Sequence, residues 1–235
     1  MWAIPLIAAF VAAAFTVMLV RQFLVRRGQA QLLWAIAMAM FSAASAAVTI
    51  GVASGWTSTL FAVYWAFGAV LTVPFLAGGE VVLLFRRRWV LWTTWLVLVF
   101  SVAFTFSVLQ QAVFDPSALA ERLPSGKEVF GAGTGAHRLP QIFSYTAYFI
   151  LVGGALWSAW RMRGRPELKD RFIGTLLIVF GSTIVAGGAA FAAGGLVTGF
   201  VLTLVVGISL MFWGFLRASR PIVAPEPAVA AEQSS

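Results

Sequence analysis

The chain has no cysteine, one histidine and two lysines, and its 235 residues include only eight acids. Each shortage removes a chemistry. Without cysteine there is no disulfide, no thiolate nucleophile and no Cys-ligated metal. His137 alone cannot build a bis-histidine haem or a zinc cluster, so neither a metal nor another cofactor is expected. Charge is scarce as well: 10% of residues carry one, against about 25% in a typical globular domain. With 61% of residues hydrophobic, no water-soluble core of this length could bury them all, and lipid must cover most of the surface.

Seven apolar stretches are each long enough to cross the hydrocarbon core, which takes about 20 residues. They fall at 2–24, 30–53, 58–85, 89–111, 139–160, 171–193 and 196–216. The expected fold is an all-α, polytopic membrane domain over residues 1–220. A Pro-, Ala- and Ser-rich tail, 221–235, is expected to be disordered. The first stretch lacks a basic n-region and its arginines follow it, so it reads as a retained helix and not a signal peptide.

Net charge is +8, and 13 of the 16 basic residues follow spans 1, 3, 5 and 7. Only Arg122, Lys127 and Arg138 lie on the other side, all in the connection 112–138. The positive-inside rule then puts the N-terminus outside and the C-terminus in the cytoplasm. Arginines at span ends set topology and meet headgroups, so the positive charge does not point to nucleic acid. Trp34, Trp89, Trp92, Trp157, Trp160 and Trp213 fall near the basic ends, with Trp2 and Trp56 near the other, as an interfacial belt would. The expected setting is the bilayer of a bacterial cytoplasmic membrane.

One ionisable group falls well inside a span and away from its basic end: Glu80. An ionisable group at membrane depth is expensive and marks a functional site by default. It stands in span 3 after Pro74, which removes a backbone hydrogen bond and should kink the helix. Gly78 and Gly79 precede it and let another helix come close. Two readings stay open. In one, Glu80 exchanges protons or holds a small-molecule ligand, since a carboxyl group in low dielectric can carry a proton. Alternatively it snorkels toward Arg87 as an interfacial ion pair; Arg86 is only about 9 Å away along a helix rising 1.5 Å per residue.

A second group of polar residues lies toward the outer side: Tyr64, Gln110, Gln111, Gln141, Ser144, Tyr145 and Tyr148. They can line a small vestibule or simply anchor helix ends. Gly174, Gly181, Gly188 and Gly195 recur every seven residues in span 6, and Gly199, Gly207 and Gly214 follow in span 7. Small residues at such spacing let membrane helices pack closely. Gly131-Ala-Gly-Thr-Gly-Ala136 fits a dinucleotide-binding pattern on paper, but without a preceding strand or a following acid it reads as a linker. Asp115-Pro116 can start a short helix in the long connection.

Known seven-helix chemistries find no footing. A retinal protein needs a lysine in helix 7, whereas Lys127 and Lys169 lie in connections. Ceramidase-like hydrolases need several membrane histidines, and a membrane serine protease needs a buried His or Lys. An enzyme therefore ranks behind a transporter or a non-catalytic sensor or subunit with a membrane-protein partner. A three-plus-one-plus-three repeat is the plan of the SWEET sugar transporters. The likeness is one of arrangement only, because Pro140-Gln141 has no matching dipeptide in span 1. The stretch from Tyr64 to Glu80 resembles helix 3 of uncharacterised seven-helix proteins of actinobacterial type, and that resemblance implies no activity. Oligomeric state is not encoded in any of these features.

Overall fold

The structure, a computed structural model, describes residues 3–219. Trp2, Arg220 and the tail 221–235 lie outside the described residues. Seven helices are long and apolar enough to cross a membrane: α1 Ala3–Arg26, α2 Gln29–Ser54, α3 Ser58–Leu84, α4 Arg88–Gln110, α5 Gly135–Met162, α6 Lys169–Ala193 and α7 Val197–Ala218. The described residues contain no strand. Boundaries agree with the hydropathy reading to within a few residues. The largest shift is the start of α5, where the Thr134 hydroxyl accepts from the His137 N–H and draws Gly135 into the first turn.

Neighbouring helices run α1–α2–α3–α5–α6–α7 and back to α1, with α4 packed outside against α3 and the start of α5. α4 buries only Val90, Leu98, Ser101, Thr105 and Leu109 of its length. The rest of it faces outward with large apolar side chains, among them Trp89, Trp92, Leu96 and Phe100.

The glycine repeat becomes a helix seam. A Cβ on Gly174 would strike the carbonyl of Gly214, and one on Gly181 the carbonyl of Gly207. Gly188 meets the Thr203 side-chain hydroxyl instead, so the backbone contact is made at the first two glycines. Backbone therefore lies on backbone along α6 and α7, which gains dispersion contacts that no side chain could supply at that separation.

The connection 112–134 folds over one end of the bundle. The Asp115 carboxylate caps the helix Pro116–Leu119, accepting from the Ser117 N–H (2.8 Å) and hydroxyl (2.6 Å). Ser125 and Glu128 form a reciprocal capping box on the helix Gly126–Phe130. Leu119, Leu123, Val129 and Phe130 turn inward and join Trp56, Phe61 and Trp65 in the core. Trp56 thus sits under this connection, where its Nε1 donates to the Arg122 carbonyl (3.2 Å), and not in an exposed belt. Covering it with Leu and Phe side chains removes more apolar surface from water than a headgroup position could.

Candidate functional site

Pro74 has no N–H, so the carbonyls before it lose a donor. The helix responds by widening: Tyr64–Leu71 is a π-helical segment inside α3, followed by α-helix from Thr72. The same happens in α5 after Pro140, where Gln141–Tyr145 is π-helical. The sequence signalled a proline kink but not the change in helix type, which depends on where replacement donors come from.

Those donors are side chains of the neighbouring helices. The Ser144 hydroxyl, in the π segment of α5, lies 2.6 Å from the Ala69 carbonyl and 2.8 Å from that of Val70. Val70 stands four residues before Pro74, so it is the acceptor that the proline orphans. The exchange is reciprocal. Trp65, in the π segment of α3, donates its Nε1 to the Ala136 carbonyl at 2.9 Å, four residues before Pro140. A third donor, Trp34 of α2, reaches the Leu76 carbonyl at 3.1 Å. Trp34, expected in the interfacial belt, is instead a half-buried tie between α2 and α3.

Glu80 lies one turn further on. It is only 8% exposed, and its side chain rests against Gly154 of α5, where a Cβ would come within 2.9 Å of the Glu80 Cγ. Gly79 accommodates the Trp34 indole, and Gly78 faces Thr94 and Leu98 of α4. Two glycine pairs, Gly78-Gly79 and Gly153-Gly154, therefore sit on the two helices that enclose the carboxylate. The second pair went unremarked in the sequence, because nothing local ties it to Glu80.

Among the described residues Glu80 has no hydrogen-bond partner and no ion pair. Arg87 does not reach it. α3 ends at Leu84, and Phe85 leaves the helix with φ −110° and ψ 77°, so Arg87 is not on a continuation of the Glu80 face. Arg87 starts α4 instead, exposed on the rim of a cavity. The one ion pair between described side chains joins Asp170 of α6 to Arg217 of α7 at 2.8 Å.

The seven outer polar residues are not drawn together. Tyr64 packs among Trp56, Phe61, Trp65 and Phe200, and Ser144 is buried in the α3–α5 seam. The Tyr148 hydroxyl pairs with Thr183 of α6 at 2.9 Å. Gln110, Gln111, Gln141 and Tyr145 are exposed. Tyr145 is exposed while Tyr148 is half-buried against α6.

A cavity of about 240 Å³ opens between α4 and α5 with Pro74 and Gly78 of α3 in its floor. It is mostly apolar, with hydroxyls from Thr93, Thr94, Ser101 and Thr146. Among the described residues no three His, Cys, Asp or Glu side chains gather as metal ligands would. No family model, no curated protein and no solved structure matches this chain. What the seam can do must come from its own groups: one carboxyl, bare glycine backbone, and two broken helices tied by exchangeable side-chain donors.

Proposed function

We propose that the protein is a proton- or cation-linked membrane transporter for a small molecule or lipid, with Glu80 as the exchanging group. One observation carries this reading: Glu80, 8% exposed and packed against α5, whose carboxyl has no hydrogen-bond or ion-pair partner among the described residues. An uncompensated charge in such surroundings costs several kcal/mol (roughly; more in pure hydrocarbon), so the group takes a proton or a cationic ligand whenever the seam is closed. π segments mark functional breaks in helices. Here they lie in both helices that would have to part, roughly 13 Å of helix before Glu80 in α3 and before its neighbour Gly154 in α5. Hydroxyl and indole donors can release and re-form as the helices shift, which an intact backbone ladder cannot do without unfolding.

The arginine distribution supports an N-terminus outside and a C-terminus in the cytoplasm of a bacterial membrane. The cysteine-free sequence makes this easy to test. Glu121→Cys should react with a membrane-impermeant maleimide added to intact cells, and Glu167→Cys only after lysis.

Infrared difference spectroscopy of the protein in lipid, titrated across neutral pH, tests the mechanism. A protonated carboxylic-acid band that is lost in Glu80→Gln is the expected result, together with proton flux out of acid-loaded liposomes that the same variant abolishes. A carboxylate ionised throughout, with flux unchanged in the variant, would overturn the reading. The outward apolar face of α4 favours one alternative, a membrane subunit held by a partner helix. Stoichiometric co-purification of one partner that is lost on Trp92→Ala would support it.

A further inference from the structure

A second cavity, of about 410 Å³, lies at the opposite end of the bundle from the folded connection, between the α1–α2 and α3–α4 turns. Four arginines line it: Arg26 from the end of α1, Arg86 and Arg87 from the α3–α4 turn, and Arg88 from the first position of α4. No acid lines it, and among the described residues none of the four has an ion pair. Elsewhere at this end the molecule does pair its charges, as Asp170 and Arg217 show. A concave set of guanidinium forks without a carboxylate is complementary to an oxyanion, because each fork can donate two parallel hydrogen bonds to phosphate.

The turns that carry or flank these arginines are short. Two residues, Arg27 and Gly28, join α1 to α2, and three join α3 to α4. Arg27 has φ +53°, the one positive value at a non-glycine among the described residues. An L-residue held in that region signals a backbone fixed by its surroundings. The arginine stems therefore start from defined positions, which lowers the ordering cost of binding.

The rest of the lining decides what carries the phosphate. Leu83, Phe85 and Leu91 form an apolar side to the cavity, and Leu24, Val25 and Trp89 stand exposed beside it. A free phosphate ion has no use for such a wall. A phospholipid does: its phosphate meets the arginines while its glycerol and first methylenes lie on the apolar side. Basic pockets between membrane helices bind anionic headgroups in this way.

We propose that this cavity is a binding site for the phosphate headgroup of an anionic phospholipid, with Arg26, Arg86, Arg87 and Arg88 as its ligands. The site is separate from Glu80 and does not depend on the transport reading.

Native mass spectrometry of the full chain, released from nanodiscs of equimolar phosphatidylglycerol and phosphatidylcholine, tests it. The wild type should retain one phosphatidylglycerol with a preference of about tenfold or more, the yield of one charge-assisted bidentate contact. The double change Arg26→Gln and Arg87→Gln should remove that preference. Arg161→Gln with Arg163→Gln, at the same end but off the cavity, should leave it intact. Arg26→Lys with Arg87→Lys keeps the charge and loses the forks, so it should bind with reduced preference even if the neutral variant inserts poorly. Inorganic phosphate added at millimolar concentration distinguishes the two sources of the anion. Little displacement of the lipid is expected; full displacement would mean a soluble-phosphate site and overturn the lipid assignment. Equal loss of preference in the cavity and off-cavity variants would reduce the effect to net charge and overturn the site.

Discussion

Ser144→Ala in the reciprocal α3–α5 exchange separates a true replacement of a lost backbone bond from an incidental contact. The hydroxyl is buried and bridges the Ala69 and Val70 carbonyls at 2.6 and 2.8 Å. Its removal leaves the Val70 carbonyl without the donor that Pro74 already denies it. A buried acceptor left unsatisfied costs about 1–3 kcal/mol, while interhelical hydrogen bonds in membranes average about 0.6 and reach about 1.7 kcal/mol. The expected loss for Ser144→Ala is therefore about 1–2 kcal/mol. Pro74→Ala restores an N–H to the ladder, so the same Ser144→Ala change made in that background should cost less. The coupling should be about 1 kcal/mol, within the range for residues that share a partner. Reversible unfolding in mixed micelles, followed by far-ultraviolet circular dichroism, gives all four stabilities. Equal costs of Ser144→Ala in both backgrounds would refute the argument. Trp65→Phe against Pro140→Ala provides the mirror test, since the indole N–H stands 2.9 Å from the Ala136 carbonyl.

Three further outcomes follow from the same structure. Gly181→Ala should destabilise by about 1–3 kcal/mol through overpacking, because its Cβ would lie 2.5 Å from the Gly207 carbonyl and 2.7 Å from the Met211 side chain; the same unfolding assay measures it, and Gly187→Ala, which meets open space, is the control. Thr105 buries its hydroxyl without a partner among the described residues, so the isosteric Thr105→Val should raise stability by about 1 kcal/mol, and a loss would show that the hydroxyl is bonded in the membrane. The Asp115 carboxyl is held below its ordinary value by hydrogen bonds from the Ser117 hydroxyl and N–H, so its contribution is full above the ordinary carboxylate range and is lost as pH falls through the lower folded value. Ser117→Ala should raise the Asp115 midpoint, read by carboxyl nuclear magnetic resonance with Asp115→Asn for assignment; an unchanged midpoint would contradict the capping geometry.

The number and placement of the helices were legible because length and hydropathy alone decide what can span a bilayer. The glycine seam was legible too, since Gly174, Gly181 and Gly188 fall on one face of one helix and their partners follow in the next. Glu80 stood out for its cost. Its surroundings did not, because they depend on contacts between distant segments: Gly154 is 74 positions away, and Ser144 is 74 from Val70. Arg87 was misread for a local reason. Projection along a helix assumes the helix continues, and α3 ends at Leu84, before the arginines. The outer polar residues are dispersed for a long-range reason too, since Ser144 is taken up by α3 carbonyls and Tyr148 by Thr183 of α6, partners that no local sequence period shows.

Two kinds of helix contact hold this bundle, and their difference bears on where it can move. α6 and α7 touch through backbone at their glycines, so any separation forfeits dispersion with nothing to take its place. α3 and α5 are tied by a hydroxyl and an indole, groups that rotate about a χ angle and can meet another acceptor or water. Pro74 and Pro140 thus convert two rigid ladder positions into side-chain contacts, on the two helices that enclose Glu80. A carboxyl that must exchange a proton or a cation needs at least two environments. On the transport reading proposed above, the α3–α5 seam would supply that second environment, and the glycine-packed α6–α7 pair would be the frame against which α5 shifts.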